Sequence, residues 1–456
     1  MFQSLRSRRA FLISAGAGTL GARLPALGQD EAAKPRRPRV AAIFTVFRFR
    51  SHAYNILENF LGPYYFNGEL VDPGVDIVSF YADQMPADDM TREVADRFNI
   101  PLFPSIEQAL CVGSDELAVD AVLSIGEHGD YPYSELGQRQ YPRKRFFDES
   151  LAVMQRSNRF VPFFNDKHLS YRWDWAKEMF DITQQHEMPL LAGSSVPLAQ
   201  RRPALELPRD VEIEEAVSIH GGGLESYDFH GLEVLQSFVE ARSGGESGIA
   251  EVELLVGDAF DEARRSGRWS QELAGAAMSA ETDMKAKRRL PPRVGLYAAR
   301  PRQQPTYPAP SRPDGDYAIC LTYKDGLKAT VLKIGRSADR WNFACRLRGE
   351  SKPVATAIFN SPWGNRGLFK ALSHSIQYLF VEKKEPYPAA RTLLTTGAVE
   401  AVMHSYARHS KVKTPHLEFA YQPIDFKSHR EYGKSWQVIT HETPQPSRFE
   451  PRPRSH

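Results

Sequence analysis

Strand-like and helix-like segments alternate along the first half of the chain, and this alternation constrains the fold more than any other feature of the sequence. Residues 40–44, VAAIF, form a continuous apolar run of the kind found in strands buried on both faces, and residues 52–61 have a helical pattern. Further predicted strands lie at residues 75–80, 99–103, 118–125, 159–164 and 188–191, with predicted helices at residues 88–98, 105–110, 144–157 and 173–186. This order predicts an α/β fold with a doubly wound parallel sheet.

The second half of the chain has a different pattern, in which short strands follow one another with turns between them. A Pro- and Arg-rich segment, residues 288–313, is expected to be a long surface excursion. Predicted strands lie at residues 212–219, 250–256, 317–323, 327–334, 341–348 and 354–360, and predicted helices at residues 227–241, 367–381 and 392–408. This region is therefore predicted to be an α+β domain with a largely antiparallel, open sheet.

The N-terminus carries a twin-arginine export signal, SRRAFL at residues 7–12. An apolar stretch rich in Gly and Ala follows, and small residues before Gly28 suit a signal peptidase that cleaves after it. The alternative is a membrane anchor, but Arg23 interrupts the apolar stretch well short of the ~20 residues that cross a bilayer. We expect export to the periplasm or the extracellular space, and twin-arginine substrates often load a cofactor before export.

Composition excludes several function classes. The 456 residues carry a formal net charge of +2, and the arginines are scattered or terminal, which argues against a dedicated nucleic-acid binder. The three cysteines, Cys111, Cys320 and Cys345, lie far apart and allow at most one bridge, without the spacing of a metal finger.

Several segments resemble the glucose-fructose oxidoreductase and inositol dehydrogenase family, Gfo/Idh/MocA. The resembling segments are EVADRFNIP at residues 93–101, SIEQAL at 105–110, VDAVLSI at 119–125, Asp166-Lys167-His168 in place of a Glu-Lys-Pro motif, Arg201-Arg202-Pro203, and His230-Gly231-Leu232-Glu233. The resemblance implies a Rossmann-like dinucleotide-binding domain followed by a substrate and oligomerisation domain. It also implies a nicotinamide cofactor, NAD or NADP, a carbohydrate-like ligand and a homo-oligomer.

The resulting domain prediction has five parts. They are a signal peptide at residues 1–28, a spacer at 29–38, the Rossmann-like domain at 39–205, the α+β domain at 206–440 and a tail at 441–456. We expect the basic stretches at residues 34–39 and 448–454 to be solvated.

One departure from the resemblance concerns the turn after the first strand, where a dinucleotide fold has Gly-x-Gly-x-x-Gly so that the backbone can approach a pyrophosphate. Here residues 45–53 read TVFRFRSHA and contain no glycine. Bulky side chains would block that approach, although arginines can bind phosphate instead. The candidate cofactor-binding residues are Thr45, Arg48, Arg50 and His52 in the turn and Asp83 at the end of the second strand. Cofactor binding and its loss both stay open.

Lys167 and His230 are the candidate catalytic residues. The resemblance implies the role of Lys167, because the family's motif lysine lies beside both nicotinamide and substrate, where an ammonium can steer a hydroxyl proton. Its place after a predicted strand, at the edge where α/β ligands bind, supports this role. A neutral imidazole at His230 suits abstraction of a hydroxyl proton, with Glu233 or Asp228 as the orienting carboxylate. The alternatives are a surface lysine and a core histidine.

The loop at residues 126–133, GEHGDYPY, is unusually rich in functional groups and follows a strand at the same edge. The candidate substrate residues are His128, Asp130 and Tyr131 of this loop, with Arg202. Glu127, His128 and Asp130 could also ligate a divalent metal, but without a spacing signature no metal site is predicted.

Three functions remain after these observations. The first, implied by the resemblance, is hydride transfer between a nicotinamide cofactor and a secondary alcohol of a sugar or cyclitol. The second is a non-catalytic sugar-binding descendant of the fold that has lost cofactor binding. The third is a metal-assisted sugar hydrolase or lyase that uses His128, Asp130 and nearby groups.

Overall fold

The protein is described here by a computed structural model that covers residues 36–285, 305–446 and 449. The export signal, most of the spacer and the greater part of the Pro- and Arg-rich segment lie outside these residues. The described residues from Arg37 onwards form one compact unit that contains two large sheets. No helix among them is long and apolar enough to cross a membrane.

The elements alternate as predicted in the first half of the chain and then become strand-rich. The strands are β1 (Arg39–Phe44), β2 (Tyr64–Phe66), β3 (Glu69–Val71), β4 (Asp76–Ala82), β5 (Ala121–Ile125), β6 (Phe163–Asp166), β7 (Leu190–Gly193), β8 (Gln200–Arg202), β9 (Ile213–Gly221), β10 (Ile249–Val256), β11 (Tyr317–Tyr323), β12 (Lys328–Lys333), β13 (Ser337–Leu347), β14 (Val354–Phe359) and β15 (Val412–Lys413). The α-helices are α1 (His52–Leu57), α2 (Thr91–Phe98), α3 (Ile106–Cys111), α4 (Arg143–Arg156), α5 (Trp173–Gln185), α6 (Ser226–Val239), α7 (Asp258–Arg265), α8 (Gln271–Lys285), α9 (Leu368–Glu382), α10 (Ala389–Arg408) and α11 (Ser435–Val438).

The first sheet is parallel and has the strand order β4-β1-β5-β6-β7, which confirms the predicted doubly wound sheet. The segment at residues 101–103 extends this sheet beside β4 in the parallel direction. Phe80 N–H donates to Pro101 O at 2.8 Å, and Phe103 N–H donates to Phe80 O at 2.9 Å. The chain thus builds one side of the sheet outwards from β1 and then crosses to β5. Ligands of such sheets bind at the carboxyl ends of the strands beside this crossing point.

The second sheet has the order β15-β10-β11-β12-β9-β13-β14-β8 and is antiparallel except between β9 and β12, as predicted. Successive residues of β9 point to opposite faces: Ala216 packs in the cluster that contains Phe229 of α6, and Val217 in the cluster that contains Leu273 of α8. Helices therefore cover both faces of the second sheet, α6 on one face and α8 on the other.

The tail predicted to be solvated is partly buried. Phe449 is only 6% exposed, and its ring lies 5.3 Å from that of Phe47 and 4.7 Å from that of Tyr54. A single aromatic residue among prolines and arginines has no periodicity that would reveal this packing. The C-terminal segment consequently lies against the turn that follows β1.

Candidate functional site

A cleft of about 670 Å³ opens between the carboxyl ends of the parallel strands and the second sheet. Loops after β1, β5 and β6 contribute Arg50, His52, Glu127, His128 and Lys167, the second-sheet side contributes Tyr227, His230 and Trp341, and other segments contribute Trp363, Phe369 and Gln445. Both candidate catalytic residues, Lys167 and His230, therefore line the same cleft.

Lys167 is held in place by a buried carboxylate. It follows β6 directly with a left-handed φ of 65°, and its Nζ donates to Glu127 Oε1 at 2.8 Å. The guanidinium of Arg143 donates to the other oxygen of Glu127. Burial alone would raise the pKa of Glu127, but the Lys167 ammonium and the Arg143 guanidinium hold it well below the usual range. The site therefore keeps an ionised carboxylate that positions Lys167.

A second polar pair lies next to this network. His52, the first residue of α1, has Nδ1 2.6 Å from Oδ2 of Asp166 at the end of β6. The His52 ring also packs edge-on against His128 and Phe369, with centroids 5.1 Å and 4.8 Å away. Burial and the neighbouring His52 lower the pKa of His128 to about 3, so His128 is neutral. The carboxylate and the two rings fix the orientation of His52.

His230 is oriented by a hydroxyl group. Its Nδ1 lies 2.6 Å from Ser194 Oγ, and the same oxygen accepts the backbone N–H of Val196 at 3.1 Å. The Ser194 hydroxyl can donate its proton to Nδ1, and the ring proton of His230 then lies on Nε2. Burial and the nearby Lys167 ammonium hold the pKa of His230 well below its usual range. The ring is a neutral N–H donor beside Lys167.

Neither carboxylate expected to orient His230 does so. Asp228 accepts from the Tyr317 hydroxyl at 2.8 Å and lies 2.9 Å from His220 Nε2, inside the core of the second sheet. Glu233 accepts from the hydroxyl of Thr395 at 2.5 Å. Both carboxylates have buried partners of their own, and neither makes a hydrogen bond to His230 among the described residues.

The second-sheet side of the cleft carries an aromatic surface. The rings of Tyr227 and Trp341 stack at 5.2 Å with an interplanar angle of 11°, and His230 packs edge-on against Trp341 at 5.3 Å. A Cβ on Gly222 would lie 1.9 Å from the Tyr227 ring, so only glycine permits this placement. The run of three glycines at residues 221–223 thus includes one that the aromatic surface requires.

The turn after β1 does not fit a pyrophosphate. Thr45, Val46 and Phe47 are each 0% exposed. The Phe47 N–H donates to Asp89 Oδ2 at 2.8 Å, and the Phe47 carbonyl accepts from Met90 N–H at 2.6 Å. A carboxylate of the chain therefore occupies the backbone donor that a phosphate would need, and it would repel a second anion there.

The start of α1 is capped by a side chain of the same turn. Ser51 Oγ accepts the backbone N–H groups of Tyr54 and Arg48, each at 3.2 Å. Three aromatic rings, those of Phe44, Tyr54 and Phe449, pack edge-on around Phe47. The absent glycines are thus replaced by a packed turn.

Thr45, Arg48 and Arg50 have protein partners, as His52 has in Asp166. The Thr45 hydroxyl donates to Glu127 O at 2.6 Å, Arg48 lies 3.7 Å from Asp88, and Arg50 donates to Gln445. A dinucleotide is usually bound by the backbone of a glycine-rich loop. Because the turn after β1 is packed and these side chains already have partners, the groups that would bind a dinucleotide are occupied.

Asp83 stands at the end of β4, where a ribose would be bound, but its oxygens are taken. It accepts from the hydroxyls of Tyr81 and Tyr131, each at 2.7 Å, and from the Arg145 guanidinium. Burial alone would raise the pKa of Asp83, but these donors, Tyr131 first, lower it. The residues present do not fit NAD or NADP in the expected position.

Of the four candidate substrate residues, only His128 lines the cleft. Asp130 pairs through its backbone with the Gln84 side-chain amide, at 2.8 Å in both directions. Tyr131 faces Asp83, and Arg202 stacks on Phe359 with its guanidinium carbon 3.6 Å from the ring centroid. Within residues 36–285, 305–446 and 449, no group of three or more His, Cys, Asp or Glu is arranged to hold a metal ion.

The sequence did not single out several residues of the site: Asp166, Ser194, Trp341, Phe369 and Gln445. Ser194 directly follows β7, so the rule that located Lys167 after β6 would have found it. Asp166 stood inside the Asp-Lys-His motif, where only the lysine was considered. Trp341 and Gln445 reach the cleft through tertiary packing and carry no local signal.

No family model matches the chain, and no curated protein matches it in sequence. The crystal structure of GenD2 from gentamicin A biosynthesis in complex with NAD has a TM-score of 0.51 at 10% identity, covering 83% of this chain and 96% of that one. Scyllo-inositol dehydrogenase from Lactobacillus casei with NAD(H) and scyllo-inositol has a TM-score of 0.48 at 10% identity, covering 83% and 99%. The first likeness shows that the chain shares the two-sheet fold of an NAD-bound protein.

Proposed function

We propose that this protein binds a polyhydroxylated small molecule, a sugar or cyclitol, in the cleft and does so without a dinucleotide. The observation that carries the proposal is the placement of Lys167 and His230 in one cleft beside the stacked Tyr227 and Trp341 rings. The ligand class and the absence of a dinucleotide agree with the second of the functions left open by the sequence, and the proposal makes no statement about catalysis.

The cleft offers what such a ligand requires. The C–H faces of a sugar or cyclitol ring are apolar and pack on aromatic faces, while the ring substituents are hydrogen-bonding oxygens. Lys167 Nζ and His230 Nε2 supply donors to one oxygen of the ligand, and Glu127 offers acceptor oxygens to a neighbouring hydroxyl.

Hydride transfer, the function implied by the resemblance, needs a nicotinamide. We derive no step through that group because the turn at residues 45–53 is closed by Phe47 and by the carboxylate of Asp89. The proposal therefore keeps the ligand class of the resemblance and drops its cofactor.

Intrinsic fluorescence tests the proposal because Trp341 and Trp363 line the cleft. Titration with a panel of cyclitols and sugars is expected to change tryptophan emission saturably. The change should survive Trp175→Phe, a matched control outside the cleft that packs on Tyr171, and should be reduced in Trp341→Phe. Absence of any saturable change across the panel would contradict the proposal.

We further propose export by the twin-arginine route, with cleavage after Gly28. Replacing Arg8 and Arg9 by lysine is expected to leave the protein in the cytoplasmic fraction, whereas the native chain reaches the exported fraction at a mass reduced by the signal peptide. Export of the lysine variant at the native level would contradict this route.

A further inference from the structure

His52, a residue that the sequence associated with cofactor binding, has the geometry of a general base directed into the cleft. Its Nδ1 lies 2.6 Å from Asp166 Oδ2, so the carboxylate accepts the Nδ1 proton and leaves Nε2 with a lone pair. Nε2 makes no hydrogen bond to any residue that the structure describes. The side chain lines the cleft and is 13% exposed, whereas Asp166 is buried.

The cleft that contains His52 also contains groups that can stabilise the negative charge formed when a base removes a proton. Lys167 Nζ brings an ammonium to the same cleft, and His230 brings a neutral N–H donor. A neutral imidazole and a cation directed at a carbonyl oxygen stabilise the negative charge that forms there when a base removes a proton from the adjacent carbon. None of these three groups requires a dinucleotide.

We propose that His52 and Asp166 form an acid–base dyad that enolises a hydroxyketone sugar or keto-cyclitol bound in the cleft. His52 Nε2 takes the proton from the carbon next to the carbonyl. The C–H electron pair becomes the C=C bond, and the carbonyl π pair moves to oxygen, where Lys167 and His230 stabilise it. Return of the proton to carbon regenerates the ketone, so the step has no net oxidation or reduction.

Asp166 is a positioning residue in this scheme. Its carboxylate fixes the tautomer of His52 and stabilises the imidazolium that forms when Nε2 takes the proton. The edge-on contacts of His52 with Phe369 and His128 restrict the ring to one orientation. The inference rests on the proposed function because it requires the ligand to occupy the cleft.

Hydrogen–deuterium exchange at carbon tests the inference. The purified protein is incubated in D₂O with D-fructose, L-sorbose and 2-keto-myo-inositol, and deuterium at the carbon next to the carbonyl is followed by NMR. Wild-type protein is expected to exchange at least one of these hydroxyketones, while myo-inositol, which has no carbonyl, is not exchanged.

Variants locate the base. His52→Gln is expected to reduce exchange by about 100-fold or more while the ligand affinity measured by tryptophan fluorescence stays within a few-fold. Asp166→Asn is expected to reduce exchange and to shift its pH profile, a change that a purely structural role would not produce. His186→Gln is the matched control, because this histidine stacks on Phe160 in another part of the chain.

Each outcome decides a different claim. Binding of a hydroxyketone without exchange by the wild type would overturn the dyad and leave the proposed function standing. Exchange that persists unchanged in both His52→Gln and Asp166→Asn would overturn the assignment to this pair. Absence of both binding and exchange would overturn the inference together with the proposed function.

Discussion

Phe47→Ala tests the packed turn after β1, on which the loss of the dinucleotide site depends. The Phe47 side chain is 0% exposed, and its ring meets Phe44 at 5.6 Å, Tyr54 at 6.5 Å and Phe449 at 5.3 Å. Burial of roughly 150–200 Å² of apolar surface at about 25 cal/mol per Å² gives about 4 kcal/mol. The truncation is therefore expected to lower the free energy of unfolding by about 3–5 kcal/mol.

The matched control is Phe49→Ala, two residues along the same turn. Phe49 is only half-buried and meets Tyr54 at 5.3 Å, so its truncation should cost about 1–2 kcal/mol. Chemical denaturation followed by fluorescence gives both values. A loss under about 1 kcal/mol for Phe47→Ala, or equal losses for the two variants, would refute the packed turn.

Three further predictions concern charge and packing around the cleft. The folded pKa of Glu127 lies well below 4.5, so its ionised form contributes stability above about pH 4.5 that is lost as the pH falls. The difference in unfolding free energy between wild type and Glu127→Gln should therefore shrink on acidification. A difference that stays constant with pH would contradict this prediction. Burial raises the pKa of Glu225 to about 7, so the free energy of unfolding should fall as the pH rises from about 4.5 to about 7. In Glu225→Gln the urea midpoint should vary less over that pH range. The same pH dependence of the midpoint in both proteins would contradict the raised pKa of Glu225. Gly222→Ala should push the Tyr227 ring out of place and weaken ligand binding about tenfold or more in the fluorescence titration, whereas native affinity would show that the close approach is not required.

Strands β1 and β11 could be predicted because each is a mostly apolar run with polar or turn residues beside it. Residues 40–44 were predicted and β1 spans Arg39–Phe44, and residues 317–323 match β11. Helix α7 was not predicted because it is mostly charged and buries only Phe260. Its amphipathic pattern is too short to distinguish from a solvated loop.

The candidate site was predictable where it depends on strand ends and was not predictable where it depends on side-chain pairing. Lys167 directly follows a parallel strand, which located it. One oxygen of Asp89 accepts the Thr91 N–H at 2.7 Å near the start of α2. The other oxygen accepts the Phe47 N–H, a contact over 42 residues that no local pattern encodes.

The central claim is that the cleft binds its ligand without a dinucleotide, and calorimetric titration of the purified protein with NADH and NADPH tests it most directly. Because Asp89 and Phe47 occupy the turn that a pyrophosphate would need, we predict no saturable heat with either nucleotide, in the presence or absence of a cyclitol. One-to-one binding with a Kd near 1 µM, about −8 kcal/mol, would contradict the claim.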